Sequence, residues 1–158
     1  MNTYLNNDIA KIKNAGKPIN EIKFQFPALS VNESMARSAV AAFCSQLDPS
    51  AIEIADVKCA VSEAVTNAIV HGYRDTVGQI YIKVKIFDND VVSVEIKDKG
   101  CGIENVGLAM EPLFTTDAEN ERSGMGFTVM QSFCDRVRVR STPQKGTTVT
   151  LIKVFAGK

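Results

Sequence analysis

Three polar side chains recur one helical turn apart within an otherwise apolar stretch of the chain. Glu63, Asn67 and His71 stand at every fourth position there. On an α-helix of about 3.6 residues per turn, such positions lie on one face. A carboxylate can orient or deprotonate a hydroxyl or a water, and a carboxamide oxygen is a hard, neutral ligand suited to Mg²⁺. Taken alone, the pattern is more typical of a helix with a solvated polar edge.

The apolar residues of the same stretch predict a buried helix from about Ile52 to His71, with Gly72 as its stop. This helix would hold the polar stripe against the rest of the domain. The side chains expected to face the core are Val57, Val61, Ala64, Val65, Ala68 and Ile69.

Two glycine-rich stretches lie further along the chain. Gly100 and Gly102 follow Asp98 at the end of an alternating apolar run, and Gly124-Met125-Gly126 precedes a helical pattern. Glycines allow close approach of the backbone to a ligand, and amides at a helix start attract phosphate. The Asp98 carboxylate can accept a hydrogen bond from an exocyclic amine such as that of adenine. Alternatively, it only anchors the glycine turn.

The order of these motifs resembles that of the Bergerat-type (GHKL) ATPases, which include gyrase, histidine kinases and mismatch-repair proteins. The motifs are Glu63-x-x-x-Asn67, Asp98-x-Gly100-x-Gly102, Gly124-x-Gly126 and Gly146-Thr147-Thr148. Longer segments narrow the resemblance to the anti-sigma-factor serine kinases, and most of all to regulators of the sporulation sigma factor F. These segments are Glu63–Tyr73, Pro112–Thr116 and Glu121–Thr128, and the likeness runs from about Ile22 to Val154.

The resemblance implies a two-layer α/β sandwich, the Bergerat ATP-binding fold. Its mixed, mainly antiparallel sheet would carry helices on one face, with ATP between the helices and a lid; the strand order is inherited from the resemblance. We expect an arm at residues 1–20, outside the resemblance, and a single domain at residues 21–158. The stretch from Glu111 to Gly126 lacks sustained periodicity and is predicted to be the lid.

The resemblance also assigns roles to individual residues, with ATP and Mg²⁺ as cofactors. Glu63 would be the general base, Asn67 the magnesium ligand and Asp98 the reader of adenine, helped by a water on Thr147. Arg122 is the lid residue expected to contact phosphate, whereas Asp117 stands where we expect a lysine. The implied nucleotide contacts are Asn67, Asp98, Gly100, Gly102, Thr115, Thr116, Arg122, Gly124, Met125, Gly126 and Thr147.

Three functions compete on this fold. The first is a serine protein kinase that phosphorylates a SpoIIAA-like anti-anti-sigma protein and also sequesters sigma factor F, through Arg37 of a homodimer. The second is an ATP-gated binding module without transfer chemistry. The third, the catalytic fragment of a histidine kinase, is disfavoured because the one histidine, His71, lies inside the motif helix.

Composition excludes several other classes. The 158 residues carry 18 basic and 18 acidic side chains without a dominant basic cluster, which argues against nucleic acid as a partner. No apolar run is long enough to span a membrane and no signal peptide is evident, so we expect a cytoplasmic protein. The four cysteines are far apart and are predicted to be free, buried thiols, except that Cys101 is expected to be exposed between its glycines.

Periodicity and turn residues predict the remaining elements. Asn32 or Ser30 is expected to cap the first helix, whose apolar residues include Met35 and Val40. Arg136 to Arg140 alternates arginine with valine, which is more typical of a solvated sheet edge than of a basic binding stripe. The predicted strands are Glu21–Phe26, Gln79–Phe87, Val91–Asp98, Arg136–Arg140 and Thr147–Val154, and the later helices are Asn105–Met110 and Phe127–Phe133.

Overall fold

Five strands form one sheet in the computed structural model of the chain, which describes residues 9–111 and 126–156. The strand order is β1-β2-β3-β5-β4, and every neighbouring pair is antiparallel. The expectation of a mainly antiparallel sheet is therefore confirmed, but the expectation of a mixed sheet is wrong, because the described strands contain no parallel pair. The strands are β1 (Asn20–Pro27), β2 (Gln79–Ile86), β3 (Val91–Asp98), β4 (Arg136–Thr142) and β5 (Gly146–Val154).

Helices cover one face of this sheet. Helix α1 (Asn32–Cys44) is followed by a single 3₁₀ turn at Ser45–Leu47, and helix α2 (Ala51–Asn67) continues into a π-helical turn at Ala68–Gly72. A short helical segment at 9–13 precedes the sheet. The four later helices are α1 (Asn32–Cys44), α2 (Ala51–Asn67), α3 (Val106–Ala109) and α4 (Gly126–Phe133).

The core lies between the sheet and the helices, as predicted for a two-layer α/β sandwich. Strand β2 alternates buried and half-buried residues, because successive side chains of a strand point to opposite faces. The buried set from β2 packs against α2 and against Met130 of α4, which is fully buried. The buried residues of β2 and α2 in this core are Ile80, Ile82, Val84, Ile86, Val57, Ala60, Val61, Ala64 and Val65.

The start of α2 is fixed both locally and to the sheet. Ser50 Oγ accepts a hydrogen bond from Glu53 N at 3.2 Å, and Glu53 Oε2 accepts one from Ser50 N at 2.8 Å, which is a capping box. One turn later, Asp56 forms an ion pair with Lys153 of β5 at 2.9 Å. These contacts set the position of α2 along the sheet, and therefore the depth at which its polar stripe lies.

The last turn of the predicted helix differs from expectation. The helix is confirmed as far as Asn67, but residues Ala68–Gly72 form a π turn, in which Tyr73 N donates to Ala68 O at 3.0 Å. The extra residue in this turn moves the helix end toward the glycine loop after β3. Local periodicity does not show this, because the contact is made by a distant part of the chain.

The start of α1 also differs from expectation. The N-cap residue of α1 is Val31, and no side chain forms a capping hydrogen bond at this end of the helix. The prediction of a cap from Asn32 or Ser30 is therefore wrong. Asn32 Nδ2 instead donates to Pro27 O at 2.9 Å, tying the helix to the end of β1. Met35 is 45% exposed, and the core face of α1 consists of Ala36, Val40, Ala41 and Cys44.

The four cysteines are free, as predicted, but only one is fully buried. Burial raises the pKa of both Cys44 and the half-buried Cys134 to about 12. Cys59 is exposed on α2, so the prediction of burial is wrong for it. Cys101, expected to be exposed, is half-buried.

The segment at 9–13 lies on the sheet face that the other helices leave open. Ile12 packs there against Val91, Ile152 and Val154, and Lys11 O accepts a hydrogen bond from Asn89 Nδ2 at 2.7 Å. Within residues 9–111 and 126–156, no helix combines the length and apolar character that crossing a membrane requires.

Candidate functional site

A cavity of about 740 Å³ opens between α2, the end of β3, the start of β5 and the start of α4. Its volume is that of a typical small-molecule site, for which roughly 300–1,000 Å³ is usual. The predicted residues that line it are Glu63, Asn67, Asp98, Gly102, Gly126 and Thr147. Residues from four separate motifs of the sequence thus meet around one volume.

The polar stripe of α2 lies at one end of the cavity. A Cβ on Gly126 would lie 3.1 Å from Asn67 Nδ2 and 3.4 Å from Glu63 Oε2, so the first residue of α4 rests directly against both side chains. The first backbone N–H groups of a helix have no partner within the helix and attract anions. This end therefore combines a carboxylate, a carboxamide and a helix start, a set suited to phosphate and a hard cation.

Asp98 lies at the other end, at the last position of β3, where it is only 5% exposed. Its Oδ1 accepts a hydrogen bond from Gly100 N at 2.9 Å, which is the turn-anchoring role that the sequence left open. Burial raises the pKa of Asp98, although backbone hydrogen bonds from Gly100 and Thr147 oppose the shift. The carboxylate lines the cavity as well, so anchoring the turn and accepting from a ligand are compatible.

Close contacts with other backbone segments of the chain explain why positions 100 and 102 are glycine. A Cβ on Gly100 would lie 2.1 Å from Gly72 O, the atom that accepts a hydrogen bond from Cys101 N at 2.9 Å. Gly102 has a φ of +73°, and a Cβ there would lie 2.3 Å from Thr142 O. The glycines therefore allow two backbone segments to touch; Gly102 also lines the cavity, whereas Gly100 lies behind its wall.

Two hydroxyl groups that sequence reasoning missed hold this wall. The Tyr73 hydroxyl accepts a hydrogen bond from Lys99 N and donates one to Gln79 O, both at 2.7 Å. It thereby joins the π turn to the end of β3 and the start of β2. The only sequence signal for this role is the position of Tyr73 next to Gly72.

Ser141 makes the second connection. Its Oγ accepts from Ile103 N at 2.7 Å, donates to Gly146 O at 3.0 Å, and lies 2.8 Å from Thr147 Oγ1. A serine in a strand of alternating arginine and valine carries no signal of this kind. Other cavity residues that the sequence did not indicate are Arg74, Glu104, Asn105 and Gln144.

The thiol of Cys101 also lines the cavity. It donates a hydrogen bond to His71 O at 3.0 Å, so it faces the π turn and not open solvent. His71, the third member of the polar stripe, lines the cavity too.

Five predicted contacts fall outside the described residues, and the structure therefore does not place them. They are Thr115, Thr116, Arg122, Gly124 and Met125, and Asp117 lies in the same segment.

The cavity residues have donors suited to Mg²⁺, but too few to hold the ion without a phosphate-bearing ligand. In the described part of the chain, no group of three or more His, Cys, Asp or Glu side chains could hold a metal ion. Asn67 and Glu63 offer oxygen donors of the kind Mg²⁺ prefers, and this ion commonly keeps waters and binds phosphate oxygens besides one or two protein ligands. The donor chemistry therefore fits an ion that arrives with phosphate.

Arg37 lies apart from the cavity, between α1 and α2. Its Nη1 is 3.5 Å from Glu33 Oε1 and donates to Ser62 Oγ at 3.2 Å, and Ser62 Oγ also donates to Glu33. The side chain is 42% exposed. A guanidinium held in this way presents an oriented, accessible cation.

Comparison with known proteins adds close relatives. Residues 26–153 match the family described as histidine kinase-like ATPase domain. The anti-sigma F factor of Geobacillus sp. (strain WCH70) is 58% identical over 135 residues, which are 85% of this chain and 92% of that relative. The anti-sigma F factor of Caldanaerobacter subterraneus subsp. tengcongensis is 55% identical over 134 residues, 85% of this chain and 93% of the relative.

Solved structures share the fold at low identity. The RsbU and RsbW domains of a Mycobacterium tuberculosis protein match with a TM-score of 0.64 at 19% identity, covering 87% of this chain and 32% of that one. Full-length ShkA in complex with AMPPNP matches with a TM-score of 0.57 at 15% identity, covering 98% of this chain and 36% of that one. This chain thus spans about a third of each, and the likeness shows the fold alone.

The contact between Gly72 and Gly100 predicts the effect of one added methyl group. Gly100→Ala should lower the free energy of unfolding by roughly 1–3 kcal/mol, because its Cβ cannot occupy a position 2.1 Å from Gly72 O without separating the two segments. Urea unfolding of the two proteins measures the change.

Gly107→Ala is the matched control. A Cβ there meets only Asn105 Oδ1, at 3.5 Å, which is ordinary contact, and alanine is favoured over glycine in a helix such as α3. It should therefore leave stability unchanged or raise it. Equal losses in the two variants would contradict the role given to Gly100.

Proposed function

The chain belongs to the histidine kinase-like ATPase domain family and, within it, to the anti-sigma F factors, and from that premise we propose that it is an ATP-dependent serine kinase that also sequesters sigma factor F. The family resemblance that the motifs indicated is confirmed. The observation that carries the proposal is the meeting of Glu63, Asn67 and Gly126 at one end of a cavity that has Asp98 and Thr147 at the other.

The different residues at the two ends of the cavity determine the orientation of the bound nucleotide. The adenine ring lies at the Asp98 end, where an ionised carboxylate accepts from the exocyclic amine, and the Thr147 hydroxyl holds a bridging water. Guanine has no amine at the equivalent edge, so Asp98 selects against it. The phosphates lie at the Asn67 end, against the first turn of α4. By resemblance, Thr115, Thr116, Arg122, Gly124 and Met125 also contact the nucleotide.

Asn67 is the proposed magnesium ligand, through its carboxamide oxygen. Bound Mg²⁺ would offset charge on the phosphate oxygens during transfer. The contribution of the chain is to hold that carboxamide against Gly126, so that the ligand oxygen and the helix start address the same phosphates.

Glu63 is the proposed general base. It takes the proton from the hydroxyl of a substrate serine while that oxygen forms a bond to the γ-phosphorus, and the bond from the γ-phosphorus to the bridging oxygen breaks, leaving ADP. Glu63 lies one helical turn before Asn67 and within reach of the same residue of α4, so the base and the metal ligand serve one reacting group.

Arg37 is the proposed contact for sigma factor F and for the anti-anti-sigma antagonist whose serine is phosphorylated. The accessible guanidinium suits an acidic or carbonyl-rich partner surface, and Arg is enriched at the energetic centres of interfaces. In the homodimer that the resemblance implies, two such arginines address one sigma molecule. We place this activity in the cytoplasm, where its partners in transcription act.

The two alternative functions make different demands on the site. An ATP-gated binding module needs the cavity but no base, whereas a histidine kinase needs a phosphoacceptor histidine on a separate dimerising helix. The single histidine, His71, lies in the π turn and lines the cavity, which disfavours the second alternative.

Asp98→Asn should weaken ATP binding by about 10- to 100-fold, because it presents an amide amine to the exocyclic amine of adenine in place of an acceptor. Its carbonyl oxygen can still accept from Gly100 N, so the turn should persist. In the parent, affinity should be full above the pKa of Asp98 and fall as the pH drops through it. Because burial raises that pKa, the loss should begin at a higher pH than for an exposed aspartate.

Calorimetric titration with ATP across a pH series measures this dependence. Because the asparagine introduced at position 98 cannot ionise, the weak affinity of the variant should show no such step. A variant that binds ATP as tightly as the parent and still rejects GTP would exclude Asp98 as the reader of adenine.

Glu63→Gln should separate binding from chemistry. The substitution keeps the volume and one carbonyl oxygen, so nucleotide and sigma-factor affinities should change little, whereas loss of the proton acceptor should slow transfer by about 100- to 10,000-fold. Labelled ATP, the antagonist protein and phosphoamino-acid analysis measure the rate and the residue type.

The alternatives give distinct results in the same assay. The binding module predicts no phosphotransfer by either protein. Transfer at the parental rate in the variant would show that Glu63 is not the base, and phosphohistidine in place of phosphoserine would favour the histidine kinase.

Arg37→Ala should weaken co-purification with sigma factor F by roughly tenfold or more, with ATP affinity unchanged, because truncating an arginine at the centre of an interface is costly. Alanine is chosen as the replacement for Arg37 because a charge-reversing glutamate at position 37 would also repel Glu33. The control is Lys23→Ala, which removes an exposed cation from the sheet face turned away from α1 and α2. Unchanged sigma binding in Arg37→Ala would move the partner surface elsewhere.

A further inference from the structure

The sheet face turned away from α1, α2 and α4 is strongly basic. Its outward-facing charged side chains are seven basic and two acidic residues, an excess of five positive charges on one face of a chain whose formal net charge is zero. They are Lys23, Lys83, Lys85, Lys97, Arg136, Arg138 and Arg140 against Glu21 and Glu95. Among the described residues, only the segment at 9–13 covers part of this open face, at its apolar end.

The two carboxylates form ion pairs only on the side of the open face that β1, β2 and β3 make up. Glu95 pairs with Lys83 at 3.6 Å, and Glu21 lies 3.2 Å from Lys23 and 3.8 Å from Lys85. No carboxylate of residues 9–111 and 126–156 forms an ion pair with the cations that remain. These are Lys97, Arg136, Arg138 and Arg140, all exposed.

Protection of the sheet edge explains only part of this charge. Strand β4 is an edge strand, and charged residues there discourage pairing with other chains. Lys97, however, lies on β3, the central strand, where it protects no edge. Its cross-strand partner is Thr148 of β5, and Thr148 pairs on its other side with Arg140. The positive charge therefore continues from the edge into the middle of the sheet.

The strand register gives the open face a defined shape. Arg140 faces Thr148 and Arg138 faces Thr150, so the two half-buried threonines of β5 form a floor beside the arginines of β4. On the β3 side, Lys97 faces Thr148 and Glu95 faces Thr150, and the Glu95 carboxylate is already paired with Lys83. The arginines alternate with inward valines, so they repeat every second residue, about 6.6 Å along the strand. An extended chain has the same repeat, so carboxylates at alternate positions match the arginines one for one.

We propose that this open face binds an extended acidic polypeptide segment that lies along β5 over Thr148 and Thr150, with carboxylates at alternate residues paired to Arg138 and Arg140. Arg136, beside the Ile152 that Ile12 covers, adds positive charge at the end of this segment. The guanidinium groups accept carboxylates in a forked geometry, and the threonine hydroxyls hydrogen-bond the remaining polar groups. The apolar end of the face already holds one segment through Ile12, which shows that this surface accommodates a polypeptide.

Single-stranded nucleic acid fits the open face less well. Sheet surfaces that bind single strands stack bases on exposed aromatic rings. Tyr81 is the one outward-facing aromatic residue of the five strands, and the ammonium of Lys99 lies over its ring, 4.9 Å from the centroid. The stacking surface is therefore occupied by a cation of the chain itself.

The test uses the full chain and two labelled peptides of equal composition, one alternating glutamate with serine and one carrying the same residues in two blocks. Fluorescence anisotropy at low salt should show tighter binding of the alternating peptide, with affinity that falls as salt rises. Replacing all three arginines with glutamine should weaken it by about tenfold or more, and replacing them with lysine should weaken it less. An oligothymidylate of equal length is the third probe.

Matched variants separate this surface from charge in general. Arg138→Gln and Lys58→Gln change the net charge equally, but only the first should reduce binding of the alternating peptide. Because all three arginines are exposed, thermal melts of the variants should overlay that of the parent. The proposal is overturned if the alternating peptide does not bind, if the two peptides bind equally, if the triple glutamine variant binds unchanged, or if oligothymidylate binds more tightly through the same arginines.

Discussion

The site depends on one contact between two backbones, that of the π turn and that of the loop after β3. Gly72 O accepts from Cys101 N, and the absence of a Cβ on Gly100 allows the approach. A Cβ on Gly72 would in turn lie 3.0 Å from the Asp98 carboxylate. This contact fixes the distance between α2, which carries Glu63 and Asn67, and the strand that carries Asp98. Without it, the π turn and the loop after β3 would be joined only through the Tyr73 hydroxyl and the packing of α2 on the sheet.

The charges at the two ends of the cavity differ, and each end suits a different proposed role. Asp98 is buried, and burial raises its pKa, but two backbone hydrogen bonds favour the ionised form that an amine donor requires. At the other end, Asn67 is neutral and α4 contributes only partial positive charge at its start. Glu63 therefore has a neutral amide and a helix start beside it where the phosphates are proposed to lie. The proposed phosphotransfer and the proposed recognition of adenine therefore lie at opposite ends of the cavity.

A feature of the structure could be predicted from the sequence when its signal lies in neighbouring residues, and not when it depends on distant contacts. The period of α2 placed Glu63 and Asn67 on one face, and alternation around Asp88-Asn89-Asp90 predicted the β2–β3 hairpin, in which Asp90 has a φ of 64°. The strand order came from the resemblance, because alternation does not say which strands are neighbours. The π turn and the positions of Tyr73 and Ser141 were missed, since each depends on contacts with residues far away in the chain. Similarly, the cap predicted for α1 failed because the Asn32 side chain has a better partner at the end of β1.

The arrangement of α2 bears on how nucleotide and partner binding are related. Ser62 and Glu63 are consecutive residues of this helix; the first hydrogen-bonds Arg37 and Glu33 of α1, and the second lines the cavity. Side chains of consecutive helical residues point about 100° apart, so one helix presents both surfaces. A rotation of α2 that moves the Glu63 carboxylate therefore also moves the hydroxyl that orients the Arg37 guanidinium. Conversely, a ligand that held α2 in place would also hold that guanidinium, so the cavity and the proposed partner contact at Arg37 share one helix.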